Sequence, residues 1–322
     1  MRTLAARGLL PPDQADQPEE PPTPEPTDTF SIVLIPDTQR LAASSSWIAH
    51  FQAAANWIAT NKEARNIELV LHLGDVVNDG NTTQFDRAEM PMATIWDTGI
   101  PFGACIGNHD YDGGSPAADR SNTTMWNSYF GVDQYTGRPW WDGDFMTAGA
   151  SENYYFRTSL GGRPTIVLSL EFFPATATLS WAAGVIEANP THDVIIITHA
   201  YLNYDGTLSQ DDTQWGPDTY AMTDKNSGVD MWAVFKQYPN LVAVFNGHFL
   251  GARTATLIGT GDEGNDVFQQ FTNWQEQDEG GDGRLVVIEV DPITGAAVRK
   301  VYNAAHDVFE SAYTFSFQLY QT

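Results

Sequence analysis

The stretch "CIGNHDYDGG" (residues 105–114) follows the apolar run "IPFGA" (100–104). A turn after a buried strand needs a glycine and one Asn or Asp at most. Here Asn108, His109 and Asp110 stand together, three side chains able to bind a metal or move a proton. The same arrangement recurs along the chain. After "SIVLIP" come Asp37, Thr38 and Gln39; after "LVLHLG" come Asp75 and then Asn78; after "VIIIT" comes His199; after "AVFNG" comes His248. In open α/β sheets, ligands bind outside the carboxyl ends of the strands. If these strands share a sheet, the groups meet on one rim. Carboxylates, an amide oxygen and imidazoles in one place suit a divalent metal.

The intervening sequence fits that reading. "FSIVLI", "NIELVLHL" and "IPFGACI" are short apolar runs that read as buried strands. Between them, Trp47, Phe51, Ala54, Ala55 and Ile58 recur at helical spacing, as do Phe85, Ala88, Met92 and Ile95, with Pro91 a site for a kink. Strand alternating with helix implies parallel pairing, with helices on the sheet faces. Later strands are expected at "NYYFRTS", "RPTIVLSLEF", "DVIIITH" and "LVAVFNGH", with helices at "TLSWAAGVIEAN" and "SGVDMWAVFKQY". From Ala252 the chain alternates without helices and is expected to close a second, antiparallel sheet. Residues 111–151 break the pattern and are rich in aromatics, which predicts a packed lid. Residues 11–29 hold seven prolines, six acids and no basic residue, which predicts a disordered tether over 1–29 before one α/β domain over 30–322.

The 322 residues include 41 acidic and 16 basic ones, a net charge of −25. Non-specific duplex binding rests on Lys and Arg neutralising phosphates, so no duplex nucleic-acid partner is expected. Adhesion to anionic membranes is disfavoured for the same reason. No stretch reaches the ~20 apolar residues a membrane helix needs. Excess acid with scarce lysine suits a salty or extracytoplasmic setting, and a secreted protein is the expectation. The single cysteine, Cys105, excludes an internal disulfide and is read as a core residue. His72 is read as a satisfied core histidine, and His50, His192 and His306 as structural. "GTGDEG" (259–264) opens no helix and is read as a turn. "DEGGDG" (278–283) is read as a solvated loop, with calcium binding as the alternative.

The blocks "GDVVN" and "GNHD", followed by "TH" and "GH", resemble the calcineurin-like metallophosphoesterase superfamily, in motif order from about Ile32 to Arg253. The first motif resembles a branch that reads "PDTQ", as residues 36–39 do. The resemblance implies two packed mixed β-sheets flanked by helices. It implies that Asp75 bridges two metals, that Asn108, His199 and His248 complete one site, and that Asp37 serves the other with Gln39. It implies His109 as general acid, oriented by Asp110, with metal-bound hydroxide attacking a phosphomonoester or phosphodiester. A pair of metals can hold phosphoryl oxygens during in-line attack, and histidine as a residue type can protonate a leaving group. Asn78, Tyr201 and Arg253 are candidates for touching substrate, Arg40 another, and Glu171 a further carboxylate for the rim.

Two departures matter. The family's last motif reads Gly-His-x-His, whereas Leu250 ends "GHFL" here, and Gln39 stands where relatives have histidine. The first metal site is therefore oxygen-rich, which favours Mg, Ca or Mn over Zn there, while the identity of the ions stays open among Mn, Mg, Ca, Fe and Zn. One firm site and one weak one are expected. The substrate expected is a small or lipid-derived phosphate ester. The alternative is a degenerate member that binds metal or ligand without turnover.

Overall fold

The structure, a computed structural model, describes residues 29–115 and 118–320. The expected tether lies outside these residues, except for Thr29. In chain order the elements are β1 (Phe30–Ile35), α1 (Gln39–Ala43), α2 (Ile48–Asn61), β2 (Ile67–His72), α3 (Thr82–Trp96), β3 (Phe102–Ala104), α4 (Thr124–Phe130), β4 (Gly143–Thr147), β5 (Ala150–Leu160), β6 (Arg163–Leu170) and α5 (Thr176–Glu187). They continue with β7 (Asp193–Thr198), α6 (Gly228–Phe235), β8 (Leu241–Asn246), β9 (Thr254–Thr260), β10 (Asp266–Thr272), β11 (Arg284–Val290), β12 (Ala296–Asn303), β13 (Val308–Phe309) and β14 (Phe315–Gln318).

Two mixed sheets stack face to face with helices outside them. The first runs β13-β12-β11-β1-β2-β3, with β14 also on β12; the second runs β4-β5-β6-β7-β8-β10-β9. Strands covered on both faces must be apolar throughout, which explains runs such as "SIVLI". Ile32, Leu34, Leu69 and Leu71 point between the sheets, against Phe156, Val167, Ile195, Ile197 and Phe245. Their neighbours Val33, Ile35 and Val70 face the helices and meet Phe51, Ala55, Phe85, Ala88 and Met92. Register is thereby fixed, because a one-residue slip would exchange the two faces.

The strands after Ala252 do not form a sheet of their own. β9 and β10 extend the second sheet, with β10 parallel to β8, while β11 lies antiparallel to β1 in the first. The run "LVVI" in β11 is fully buried, so it fits beside a central strand and not at an edge. The aromatic insert packs inward. Trp126, Phe130 and Tyr135 are buried, the last two against Trp96, and Trp140 and Trp141 lie on Phe156. No helix among the described residues is long and apolar enough to cross a membrane.

Candidate metal centre

The carboxyl ends of β1, β2 and β3 in one sheet meet those of β7 and β8 in the other. Asp37, Asp75, Asn108, His199 and His248 stand there, all buried. The ligand atoms of Asp75, His199 and His248 lie within 4.8 Å of one another. His199 Nε2 is 3.1 Å from Asp75 Oδ2 and 4.0 Å from Asp37 Oδ2. Its Nδ1–H donates to the Leu73 carbonyl at 2.7 Å, so the neutral ring presents the Nε2 lone pair to the centre. The His248 Nε2–H donates to the Trp215 carbonyl at 2.9 Å, which leaves Nδ1 for a cation. Gln39 donates from Nε2 to Asp75 Oδ2 at 2.8 Å.

The donor set fits a cation. Gln39 Oε1, Asn108 Oδ1 and His199 Nε2 are buried and lack a hydrogen-bond partner. Buried polar atoms normally have one, so three orphans around one carboxylate need a common explanation. The two amide oxygens carry lone pairs, as does Nε2 of neutral His199, and an ion would satisfy all three together. The electrostatics agree. Burial opposes ionisation of Asp75, but His199 and His109 outweigh it and hold the carboxyl below its usual range. Burial opposes charge on His199 too, and Asp75 and Asp37 push it up to about 9. Burial raises Asp37 to about 7, with Asp75 adding and His199 opposing.

Glycines bring the loops this close. A Cβ on Gly107 would stand 2.2 Å from Asp75 Oδ1, and one on Gly247 would stand 2.1 Å from Asp37 Oδ1. The residues before Asn108 and before His248 therefore have no room for a side chain. Gly107→Ala is expected to displace Asp75 and weaken retention of the firm ion at least about tenfold, the usual scale for disturbing what orients a ligand. Metal titration of the folded variant checks this; unchanged affinity would mean that the loops yield.

Two neighbours of the centre differ from expectation. Asp110 does not touch the His109 ring. Its Oδ1 accepts from Val77 N at 2.9 Å and its Oδ2 from Gly107 N at 2.8 Å, so it ties the loop after β2 to the loop after β3. What orients His109 is the Asn78 carbonyl, 2.6 Å from Nδ1. Asp110→Ala orphans two buried amides and is expected to cost about 2–4 kcal/mol of stability, read by denaturant unfolding. Unchanged stability with lost activity would favour a direct role. Glu171 is also committed elsewhere. It lies 3.0 Å from Arg120 Nε and accepts from Ala175 N and Thr178 Oγ1, so it is committed to the start of α5 and to Arg120.

The substrate candidates divide. A pocket of about 270 Å³ opens over the centre and is lined by Arg40, His109, Ser115, Trp215, Tyr220 and Leu250, with Gln39, Asp75, Asn108, His248 and Gln275. Tyr201 is buried beneath the rim, its hydroxyl on Gln269 at 2.7 Å. Arg253 pairs with Gln277 and does not line the pocket. Asn78 contributes its carbonyl, while its side chain turns to Asp79. Among the described residues of the aromatic insert only Ser115 lines the pocket, and the pocket's aromatic wall comes from Trp215 and Tyr220. His72 is satisfied by Thr38 Oγ1 and Gly74 N, and burial holds it near 3, so it stays neutral. Cys105 is buried and free.

Asn273 escaped the sequence reading. It donates to Asp37 Oδ2 at 2.9 Å, where His248 N also approaches at 3.2 Å. It directly follows β10, so the rule that found the other rim residues would have found it had β10 been read as parallel. Glu279 and Asp282, in the loop that carries "DEGGDG", form with His50 of α2 a second group with ligand atoms within 4.8 Å. His50 Nε2 lies 2.5 Å from Glu279, and Arg284 Nη1 lies 3.1 Å from Asp282, so these acids already have partners.

Residues 30–251 match the family of calcineurin-like phosphoesterases. An uncharacterized protein, YvnB, of Bacillus subtilis is 28% identical over 281 residues, covering 85% of this chain. This chain spans 20% of that protein's length. Among solved structures, purple acid phosphatase PPD1 from yellow lupin seeds superposes with a TM-score of 0.55 at 13% identity, covering 90% of this chain and 54% of its own. A dimetal phosphatase from Danio rerio gives 0.56 at 11% identity, covering 92% and 100%. GAP50, the anchor in the inner membrane complex of Plasmodium, gives 0.52 at 10% identity, covering 91% and 90%. At such identities the structures show the shared fold, and the match over most of the sequence shows the kinship: the chain belongs to the calcineurin-like phosphoesterase family.

Proposed function

We propose that the protein is a metal-dependent phosphoesterase that hydrolyses a small phosphomonoester or phosphodiester. The observation that carries this is the set of three unpartnered buried ligand atoms beside Asp75, opening into a pocket that also holds His109. Bound ions would polarise phosphoryl oxygens and acidify a water. Asp75, Asn108, His199 and His248 would hold the firm one. Asp37, Gln39 and Asp75 would hold the other, more weakly, because Asp37 already accepts from His248 N and Asn273. His109, its Nδ1–H held by the Asn78 carbonyl, keeps Nε2 for a proton passed to the leaving oxygen. The excess of acid supports a small substrate over a polyanion and an extracytoplasmic setting.

Metal content before and after dialysis against chelator, with an ester assay on the same samples, tests the reading. Activity that disappears with the metal and returns with Mn or Mg supports it. A second reading, a metal-binding member without turnover, is favoured by the amide donors already on Asp37 and by Leu250. Retained metal with no turnover of any simple phosphate ester would assign it.

A further inference from the structure

The pocket's outer wall is made by the segment between β7 and α6, and its most exposed aromatic is Trp215, 42% exposed. Trp215 has φ +63°, a left-handed conformation that bulky residues avoid. Such strain persists only where the surroundings impose it, and it gathers at functional sites. Here the Trp215 carbonyl accepts from His248 Nε2 at 2.9 Å, so the bond that orients a metal ligand also aims the indole. The segment is braced from behind. Arg120 donates to the carbonyls of Thr223 at 2.5 Å and Asp224 at 3.1 Å, and Lys225 to those of Pro217 at 2.6 Å and Tyr220 at 2.7 Å. A wall held this way is organised before any ligand arrives.

The chemistry of the wall is apolar on one side and anionic beyond. Trp215 shares the pocket with Leu250, which stands where the family motif has a histidine. The far side of Trp215 lines an open depression with Asp211, Asp212 and Asp218. Arg40 is the one Lys or Arg among the described residues lining the pocket, and it already reaches Glu276 at 3.4 Å. Apart from Arg40, no described Lys or Arg there balances a second negative charge on a substrate, and the aspartates repel one.

We propose that Trp215 and Leu250 form a leaving-group subsite that takes a flat, uncharged organic group, so the site prefers aryl-type phosphate esters over esters whose leaving group is itself anionic. This deepens the phosphoesterase reading and rests on it for the term leaving group. Calorimetric binding of phosphonates to Mn-loaded protein tests it without turnover. Phenylphosphonate is expected to bind about tenfold tighter than methylphosphonate, the scale of one aromatic contact plus its buried area. A 4-carboxyphenyl phosphonate is expected to bind several-fold weaker than the phenyl one. Trp215→Ala should bring the phenyl-to-methyl ratio down to about two or less, and Trp215→Phe should keep most of it. A ratio that Trp215→Ala leaves unchanged, or a carboxyphenyl compound that binds as well as phenyl, overturns the subsite. If no ester is turned over but the Trp215-dependent preference persists, the phosphoesterase reading falls and the subsite stands. If esters are turned over without aryl preference, the subsite alone falls.

Discussion

His109→Ala is expected to lower kcat about 10²–10⁴-fold on alkyl phosphate esters and far less on 4-nitrophenyl esters, with metal content unchanged. The asymmetry follows from where the imidazole acts. An alkoxide leaves poorly unless it is protonated, whereas nitrophenolate needs no proton. His109 lines the pocket, and its Nδ1–H is committed to the Asn78 carbonyl at 2.6 Å, so the other nitrogen is the one available to a leaving oxygen. Its backbone N–H donates to Asp75 Oδ1 at 2.9 Å, a bond the substitution keeps. The Asp75 carboxylate should therefore stay in place. Steady-state kinetics on the two ester classes, with metal analysis of the same preparation, decide it. Equal losses on both classes would mean that His109 holds the phosphoryl group and does not deliver a proton.

Much of this site could be read from the chain because strand ends are where sequence and function coincide. A continuous apolar run marks a strand buried on both faces, and a polar residue just after it marks the rim. That rule located Asp37, Asp75, Asn108, His199 and His248, which the fold does bring together. It missed Asn273 only because direction is not written in a strand's composition: β10 looks like any antiparallel strand but pairs parallel to β8. It misjudged Asp110 because adjacency in sequence does not imply contact; a carboxylate one residue from His109 instead reaches two backbone amides. Tyr201, two residues past His199, fails for a related reason, since it is buried with its hydroxyl on Gln269 of β10 and does not line the pocket. The wall at Trp215 had no signal. Its position depends on a carbonyl bond to His248, 33 residues away, and on Arg120, about 100 residues away, and long-range bonds of this kind leave no local pattern.

Removing the ions should lower the melting temperature by about 10 °C, and the gap between loaded and chelated protein should widen as pH rises from 6 to 9. A ligand present at 1,000 times its Kd stabilises by about 4 kcal/mol, and a domain of this size shifts roughly 2–4 °C per kcal/mol. The pH trend comes from the same buried groups. Without an ion, His199 is raised to about 9 and Asp37 to about 7, so both keep protons that they would lose in an unfolded chain at neutral pH. For His199 the stabilisation from its carboxylate partners is complete below its unfolded value, near 6.5, and is lost as pH climbs through 9. For Asp37, burial favours the protonated form, and the cost of ionising it grows as pH rises from about 4 to 7. The chelated protein therefore weakens as pH rises. Loading would release those protons to make room for the ion, so binding should strengthen over the same window. Scanning calorimetry at pH 6, 7, 8 and 9, with Mn and with chelator, measures both curves. Parallel curves would show that the centre takes up metal without giving up protons, and would remove His199 from the ligand set. His199→Ala should behave as chelated protein even in excess Mn, because Asp75 and His248 alone leave Asn108 Oδ1 and the rest of the cluster without a closed shell.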